Sequence, residues 1–315
     1  MKYLITGGAG FIGSNITRRL LSLGNDVLVI DDLSAGVNNL ENLKDRNLEF
    51  EEKDIRDTTV CNSIIKSWSP NIVIHAACRS VVRGEETPFS DIEVNARATL
   101  DLLLTCKNES VNKFVYCSSA SVYGDLGERE VLSEKEVPNP SSHYAVSKLA
   151  GENYTNFYNQ KGLSTISLRY FNVYGPFQNK DSIYGGVIPI FINSALENTP
   201  YTIYGDGLQT RDFTYIDDVV DATLLAADKN IQDQRFFNIG SGVATSINSL
   251  SEKIHKASKN TELVKNYKDR RLIDNVVHRR ASIDLARKHL NYNPKIDLSS
   301  GIEKTVQHFR ERIND

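Results

Sequence analysis

Three evenly spaced glycines near the N-terminus, Gly7, Gly10 and Gly13, constrain the fold more than any other feature of the sequence. They separate a short apolar run at 2–6, typical of a buried strand, from a segment at 11–24 whose apolar residues recur at helical spacing. Glycines at such a turn let the backbone approach a pyrophosphate, which then lies at the positive end of the helix. The spacing is G-x-x-G-x-x-G rather than the commoner G-x-G-x-x-G, and the cluster alone could be an ordinary turn. Because an acid, Asp31, also ends the next apolar run, the three features together predict a dinucleotide site.

Asp31 indicates which dinucleotide would bind. A carboxylate at the end of the second strand accepts hydrogen bonds from the adenosine ribose hydroxyls and repels a 2′-phosphate. No arginine follows immediately to hold such a phosphate, so the sequence favours NAD over NADP. The neighbouring Asp32 is interpreted as a loop acid, and Asp54, after the third predicted strand, could be a simple turn residue.

Strand-like and helix-like segments alternate through the first half of the chain. The predicted strands are at 2–6, 26–31, 48–54, 71–77, 113–119 and 163–171, and the predicted helices at 11–24, 89–106 and 143–161. This alternation predicts a parallel sheet covered by helices on both faces. The expected fold class is therefore α/β, with a doubly wound Rossmann sheet.

The second half is less regular. Helices are predicted at 187–197, 219–228, 248–258 and 299–313, with one further strand at 235–240 and a Gly-, Asn- and Tyr-rich binding loop at 172–186. We expect a smaller α/β substrate-binding domain built from these C-terminal segments. The Rossmann domain would cover 1–172 with returning segments near 210–245, and the smaller domain 173–209 and 246–315.

The composition restricts the classes of function. A formal net charge of -3, with 40% hydrophobic and 24% charged residues, is an ordinary globular balance without the dense basic surface that nucleic-acid binding requires. The four cysteines, at 61, 78, 106 and 117, show no C-x-x-C spacing, so we expect reduced thiols and no metal site. The N-terminal stretch lacks the apolar run of a signal peptide, and no stretch is long and apolar enough to span a bilayer. We therefore expect a cytoplasmic protein with neither nucleic-acid nor membrane partners.

Tyr144 and Lys148 form a Y-x-x-x-K pair within the predicted helix at 143–161. Residues four apart share a helix face, and an ammonium beside a phenol lowers the phenol pKa from about 10 towards neutrality. The phenolate could then act as a general base on a substrate hydroxyl. Taken alone, the motif could equally be a surface pair. Ser119, which ends the fifth predicted strand, adds a hydroxyl able to bind the reacting oxygen and favours the catalytic interpretation.

Several short motifs occur in the order found in one enzyme family. They are TGGAGFIGS (6–14), DIRD (54–57), HAA (75–77), SSASVYG (118–124), YAVSK (144–148), RYFNVYGP (169–176) and TRDFTYIDDV (210–219). With them the chain resembles the extended short-chain dehydrogenase/reductase family, and within it the nucleotide-sugar epimerases and dehydratases, above all the UDP-hexose 4-epimerases. The resemblance runs from residue 1 to about residue 225 and returns weakly at 270–292. It implies an NAD-dependent enzyme that acts on a nucleotide sugar.

The resemblance implies a role for each matching position. Ser119, Tyr144 and Lys148 match the catalytic residues. The positions that match cofactor contacts are Gly7, Gly10, Phe11, Ile12, Gly13, Asp31, Asp54, Ile55, Ala76, Ala77, Arg79, Asn95, Tyr144 and Lys148. Those that match substrate contacts are Arg83, Ser119, Ser121, Tyr144, Asn172, Val187, Ile188, Tyr204, Arg211, Arg271, Asp274 and Arg279. Arginine suits phosphate geometry, although a solvated surface arginine is the alternative for any single one.

The residues after Ser119 favour one reaction of the family. Dehydratases and uronate decarboxylases of the family carry an acid just after the catalytic hydroxyl, where this chain has Ala120 and Ser121. We therefore expect C4 epimerisation of a UDP-hexose through a transient 4-keto intermediate. A dehydratase, decarboxylase or reductase on the same scaffold is an alternative, and so is a non-catalytic NAD-binding sensor. The hexose stays open between the glucose/galactose, N-acetylhexosamine and uronate pairs, and dTDP or GDP could replace UDP.

Arg279 matches a position that admits or excludes a 2-N-acetyl group, if one residue is inserted before Ala281. There it would narrow the pocket or pair with a uronate carboxylate, and Arg83 is another possible carboxylate partner. A charged surface residue without such a role is the alternative.

The resemblance also implies a homodimer. Members of the family usually dimerise through two helices of each subunit, which here would lie near 89–107 and 143–161. The apolar positions available for this contact would serve equally as an ordinary core face; they are Leu100, Leu103, Leu104, Ala150, Tyr154 and Phe157.

Overall fold

Strands and helices are named in chain order. The computed structural model describes residues 1–79, 88–125, 127, 129–179, 186–231, 235–260, 264–270 and 277–314. Its strands are β1 (Lys2–Thr6), β2 (Asp26–Asp31), β3 (Leu48–Glu52), β4 (Ile72–His75), β5 (Lys113–Ser119), β6 (Val131–Leu132), β7 (Thr165–Tyr170), β8 (Val173–Tyr174), β9 (Tyr201–Tyr204), β10 (Thr210–Arg211), β11 (Thr214–Tyr215), β12 (Phe236–Ile239), β13 (Thr245–Ser246), β14 (Lys265–Lys268) and β15 (Arg280–Ala281). Its α-helices are α1 (Phe11–Ser22), α2 (Thr58–Trp68), α3 (Pro88–Asp91), α4 (Thr99–Asn108), α5 (His143–Gln160), α6 (Val187–Glu197), α7 (Ile216–Asp228), α8 (Ile247–Ser258) and α9 (Leu298–Asn314).

A parallel sheet of seven strands forms the centre of the fold, in the order β12-β7-β5-β4-β1-β2-β3. Successive residues of each strand point to opposite faces, so Ile5 and Val29 pack into one core cluster while Leu4 and Leu28 pack into another. Helices cover both faces, which explains why the inner strands are apolar along their whole length. The predicted α/β Rossmann class is confirmed.

The helical regions between β3 and β5 differ from the sequence prediction. The sequence pattern predicts no helix between the third and fourth strands, yet α2 forms there, because Asp57 caps it by accepting a 3.1 Å hydrogen bond from the Val60 N–H. Its Thr, Asn and Ser residues interrupt the helical spacing of its apolar residues, so the sequence pattern does not indicate a helix. The single helix predicted at 89–106 is instead α3, a π-helical segment (Ile92–Ala98) and α4. Such π-helical insertions are frequent at functional sites.

The segments after β7 build small sheets at the carboxyl end of the central one. Strand β9 pairs with β14, β10 with β13, and β11 with β8. Strand β15 pairs with β6, which brings the C-terminal part of the chain against the segment that follows β5. Strand β12 returns to the central sheet beside β7. The limits of the two domains stay a prediction.

Candidate active site

The glycine turn after β1 is packed too closely to hold side chains. Gly7 has φ +70°, and a Cβ added there would lie 2.5 Å from the backbone nitrogen of Ala77. A Cβ on Gly13 would meet the carbonyl oxygen of Gly7 and the Cα of Gly8. The turn therefore presents backbone at the N-terminus of α1, where the helix dipole favours an anion. This cradle fits the pyrophosphate of a dinucleotide.

Asp31, at the end of β2, is hydrogen-bonded to the glycine turn. Its carboxylate accepts hydrogen bonds of 2.9 Å from the backbone N–H groups of Ala9 and Leu33. Burial raises the pKa of Asp31, and these N–H groups oppose the rise because they stabilise the charged form. A carboxylate has about four acceptor sites, so the ribose contact predicted from the sequence is compatible with these bonds.

A cavity of about 370 Å³ opens beside the glycine turn and the carboxyl ends of β2, β3 and β4. Its size suits a cofactor. The predicted cofactor positions that line it are Gly7, Gly10, Phe11, Ile12, Gly13, Asp31, Asp54, Ile55, Ala76, Ala77 and Arg79. Lining residues that the sequence did not assign include Lys53, Arg56, Cys78, Phe177, Gln178 and Asn179.

Arg56 and Asp54 form an ion pair at the edge of this cavity. The Arg56 Nε donates to Asp54 Oδ2 at 2.8 Å, and the backbone N–H of Arg56 donates to Oδ1 at 2.8 Å. The Arg56 hydrogen bonds hold the pKa of Asp54 below its usual value, although partial burial opposes them. Asp54 therefore lines the cofactor cavity, as predicted, while its carboxylate accepts hydrogen bonds from Arg56.

Phe177 lies in the loop after β8 and lines the cofactor cavity. Its carbonyl oxygen accepts a hydrogen bond of 3.0 Å from Asn39 Nδ2, and its N–H donates one of 3.2 Å to His308 Nε2 on α9. The Arg18 guanidinium lies 4.4 Å from the centre of the Phe177 ring. The composition of 172–186 predicts a binding loop, but the sequence alone does not show that residues 177–179 line the cavity. Phe177 is held there by residues far away in the sequence, such as Arg18 on α1 and His308 on α9.

Tyr144 and Lys148 lie one turn apart on α5, which begins after the capping side chain of Ser142. The Lys148 Nζ is buried and donates 2.6 Å to the carbonyl oxygen of Cys117 on β5. The Ser119 hydroxyl, at the end of the same strand, lies close enough to the Tyr144 phenol to lower its pKa. The structure thus brings together the three residues that the sequence predicted as catalytic.

The pKa of Tyr144 lies above its usual value, contrary to the sequence prediction. Burial is the largest cause, and a Cys78 thiolate would add to it. Lys148 and the Ser119 hydroxyl both act in the predicted, lowering direction but are outweighed by burial. A further positive charge beside the phenol, such as an oxidised nicotinamide ring, would lower the pKa.

Asn95 contacts α5 and does not line the cavity. Its Oδ1 accepts a hydrogen bond of 2.9 Å from the Arg79 N–H, and its Nδ2 donates one of 3.0 Å to Ser147 Oγ. The Ser147 hydroxyl in turn donates 2.8 Å to the carbonyl oxygen of Tyr144. The sequence placed Asn95 among the cofactor contacts, but its side chain instead links the π-helical segment (Ile92–Ala98) to α5, and a contact with the cofactor stays a prediction.

A buried ion pair that the sequence did not reveal joins α5 to the sheet. Glu152 accepts a hydrogen bond of 2.6 Å from the hydroxyl of Ser118, the residue before Ser119. It also accepts hydrogen bonds from Nε (2.9 Å) and Nη2 (2.7 Å) of Arg169 on β7. Glu152 is 0% exposed and Arg169 3%. Glu152 lies one turn beyond Lys148, so the pair fixes the catalytic helix against β5 and β7.

A second cavity of about 220 Å³ lies among the C-terminal segments. Four predicted substrate positions line it, namely Asn172, Val187, Tyr204 and Arg211. Phe191, Thr202, Ile203, Gln209, Phe213, Ile247 and Arg270 also line it and were not predicted. Ile188 is 2% exposed and packs into the core without lining this cavity, so its contact with the substrate stays a prediction. Its neighbour Val187 faces the cavity because adjacent helix residues point in different directions.

The turn after Ser119 carries the predicted substrate residue Ser121, and Arg279 contacts the end of that turn. Ser119 Oγ caps this 3₁₀ turn (Ala120–Tyr123) by accepting 3.1 Å from the Ser121 N–H. Arg279 Nη2 donates 2.9 Å to the carbonyl oxygen of Gly124, which ends the turn. Burial, together with the charge of Arg211, lowers the pKa of Arg279 to about 10. Three other predicted substrate residues, Arg83, Arg271 and Asp274, lie outside the described residues.

Within the described part of the chain, no group of three or more His, Cys, Asp or Glu side chains is arranged to hold a metal ion. Cys61, Cys106 and Cys117 are buried, and Cys78 is exposed.

Within the described ranges, none of the helices combines the length and apolarity needed to cross a membrane.

The fold and the cavity define a dinucleotide-dependent enzyme, in which Ser119, Tyr144 and Lys148 lie together at the carboxyl end of β5. The model of the NAD dependent epimerase/dehydratase family matches residues 3–240, and the chain belongs to that family. This confirms the family predicted from the motifs and, with it, NAD as the cofactor.

Similarity to individual members extends over the whole chain. UDP-glucose 4-epimerase of Mycolicibacterium smegmatis is 36% identical over 99% of this chain and 99% of its own length. The crystal structure of UDP-glucose 4-epimerase from Thermotoga maritima with UDP-glucose has 36% identity and a TM-score of 0.92, covering 99% of this chain and 100% of that one. UDP-glucuronic acid 4-epimerase from Bacillus cereus, in complex with UDP-glucuronic acid and NAD, has 32% identity and a TM-score of 0.88, covering 99% and 100%.

Proposed function

We propose that the protein interconverts a UDP-hexose and its C4 epimer, with NAD as the cofactor. One observation carries the proposal: Ser119, Tyr144 and Lys148 meet at the carboxyl end of β5. Cys78, which lines the dinucleotide cavity, lies close enough to Tyr144 for a charge on its sulfur to act on the phenol. Similarity to UDP-sugar 4-epimerases along the full chain supports the substrate class.

The proposed reaction needs one proton and one hydride to leave the sugar and return. NAD, when bound, supplies the hydride acceptor. Tyr144 removes the proton from the 4-hydroxyl as the hydride leaves C4, which gives a 4-keto sugar. Ser119 binds the same oxygen, and the fixed ammonium of Lys148 stabilises the phenolate. Rotation of the keto sugar lets the hydride return to the other face, and Tyr144 gives its proton back.

The turn after Ser119 favours epimerisation over dehydration or decarboxylation. Those reactions require an acid or base at a second carbon, and the turn offers Ala120, which is 3% exposed, and Ser121 instead. A dehydratase on the same scaffold is the second candidate, and the family itself includes such enzymes.

We also propose that the protein acts as a cytoplasmic homodimer through α4 and α5. These helices pack against each other and leave large apolar side chains exposed: Leu104 (47%), Val146 (54%) and Phe157 (49%). Apolar groups concentrated on one helix pair favour a protein interface. Leu103, counted in the sequence among the apolar positions for this contact, is 0% exposed and belongs to the core.

The proposed function is tested by product analysis. The purified protein is incubated separately with UDP-glucose, UDP-N-acetylglucosamine and UDP-glucuronate, without added reductant, and the products are identified by NMR. Conversion of one substrate to its C4 epimer without net NADH is the expected result. A 4-keto-6-deoxy product or release of carbon dioxide would place the protein among the other members of the family. Binding of NAD without turnover of any of the three would contradict catalysis.

A further inference from the structure

Phe177 has a strained backbone conformation at the wall of the cofactor cavity. Its φ of +68° lies in the left-handed region, which residues with a side chain rarely adopt. Such a conformation persists only where the surrounding contacts hold it. Phe177 lines the cavity together with Gln178 and Asn179, so the contacts that hold Phe177 also fix this part of the cavity wall.

The contacts that hold Phe177 come from segments far away in the sequence. The Asn39 side chain donates a hydrogen bond of 3.0 Å to the Phe177 carbonyl oxygen, and His308 Nε2 accepts one of 3.2 Å from the Phe177 N–H. The backbone N–H of Asn39 donates 3.1 Å to the carbonyl oxygen of Ala9, in the glycine turn. The Asn39 carbonyl oxygen accepts 2.7 Å from Arg18, whose guanidinium lies over the Phe177 ring. The cavity wall is therefore joined to the turn that fits the pyrophosphate.

His308 differs from the other two residues because its hydrogen bond depends on protonation. Nε2 can accept the bond from the Phe177 N–H only while it carries no proton. The charged groups that act on the His308 ring are Arg312 and Glu311 on α9 and Arg18 on α1. Burial is the largest cause of a lowered pKa of His308; Arg312 and Arg18 act in the same direction, and Glu311 opposes them. The ring is therefore uncharged at neutral pH and able to accept.

The His308 ring also packs against the residue whose backbone it binds. The centres of the Phe177 and His308 rings lie 4.7 Å apart. Protonation would place the new N–H of Nε2 opposite the N–H of Phe177, so that two donors face each other without an acceptor. The added charge would also lie near Arg18 and Arg312, which are both cationic. Acid thus removes the hydrogen bond and adds repulsion at the same place.

We propose that His308 is a positioning residue for the dinucleotide: its uncharged ring holds Phe177 at the cavity wall, and its protonation weakens NAD binding. Because the pKa of His308 is lowered from about 6.5, its contribution is present above pH 6.5 and is lost as the pH falls through that lowered pKa. The inference concerns the cofactor alone. It does not depend on which nucleotide sugar the protein converts.

The test measures the affinity of the full chain for NAD by equilibrium dialysis at pH values from 5 to 8. His308→Gln keeps an acceptor that does not titrate, and His308→Phe keeps an aromatic ring without the acceptor. The matched control is His289→Gln, which removes another histidine in contact with an aromatic ring, that of Phe237. His289 does not line the cofactor cavity.

At pH 8, His308→Phe should weaken NAD binding by about 3- to 10-fold, because one hydrogen bond is lost, whereas both glutamine variants should bind like the wild type. Between pH 7 and pH 5, the wild type and His289→Gln should lose about 3- to 10-fold more affinity than His308→Gln. Any loss left in His308→Gln belongs to other groups at the cavity, such as Asp31, whose pKa is raised by burial.

Wild-type affinity of His308→Phe at pH 8 would overturn the positioning role. An equal loss in His308→Gln and His308→Phe at pH 8 would also overturn it, since the ring and not its acceptor nitrogen would then be the contact. A His308→Gln protein that keeps the whole pH dependence of the wild type would overturn the role of protonation. If His308→Phe does not fold, the comparison of His308→Gln with the wild type still decides.

Discussion

The ammonium of Lys148 donates a hydrogen bond of 2.6 Å to the carbonyl oxygen of Cys117, two residues before Ser119 on β5. It also lies 4.3 Å from the centre of the Tyr116 ring. A strand carbonyl and an aromatic face thus satisfy a cation that is 1% exposed. The charge is fixed relative to both the catalytic strand and the catalytic helix, so it acts on Tyr144 from a constant position.

Replacing Tyr144 by Phe should lower kcat by about 100- to 10,000-fold, because the general base is lost. The ring keeps its packing, so the melting temperature should change by less than about 2 °C. Turnover by HPLC and thermal unfolding measure the two effects. Near wild-type turnover in a folded Tyr144→Phe protein would remove Tyr144 from the mechanism.

Replacing Lys148 by Met should move the acidic limb of the rate profile to higher pH. Lys148 lowers the pKa of Tyr144, so its removal raises that pKa and leaves less phenolate at a given pH. Measurement of kcat from pH 6 to 10 shows the shift, and recovery of activity with rising pH is expected. A uniform loss with an unmoved limb would mean that Lys148 acts by position alone.

Replacing Glu152 by Gln should lower the free energy of unfolding by about 3–5 kcal/mol, because Arg169 keeps its charge in the core without a counter-ion. The exposed pair of Arg97 and Glu93, whose side chains are 53% and 42% exposed, provides the control. Arg97→Gln should change the stability by less than about 0.5 kcal/mol. Urea titrations measure the free energy of unfolding of both variants. Equal losses in the two would show that the burial of Glu152 does not increase the contribution of its ion pair to stability.

His75 should make the fold less stable in mild acid. Burial, and to a lesser extent Lys148, lowers its pKa to about 3, and both ring nitrogens are engaged by Thr6 and Thr99. The unfolded chain takes up a proton near pH 6.5 while the folded protein does not, so stability present above pH 6.5 is lost as the pH falls below it.

The loss attributable to His75 is about 2 kcal/mol between pH 6.5 and pH 5. Urea unfolding at these two pH values measures it, with His75→Gln as the comparison. A His75→Gln protein that keeps the full pH dependence of the wild type would assign the effect to other groups.

The sequence predicted the central sheet well because its strands are continuous apolar runs. The bounds of β1, β2 and β5 agree with the prediction, and the glycine turn and Asp31 stand where the motif placed them. The helix α2 was missed because its polar residues conceal its apolar side. Contacts between distant segments were also beyond the sequence: the Glu152–Arg169 pair joins separate elements, and Phe177 reaches the cavity only through Asn39 and His308. The direction of the Tyr144 pKa was wrong because sequence spacing shows the cation and not the burial.

A UDP-hexose deuterated at C4 shows whether one hydride leaves C4 and returns to it. The protein is incubated in ordinary water without added nucleotide, and both epimers are analysed by NMR and mass spectrometry. We expect the product to keep the deuterium at C4, since the hydride would stay with the protein between the two half-reactions. Replacement of deuterium at C4 by solvent hydrogen in the product would contradict this mechanism.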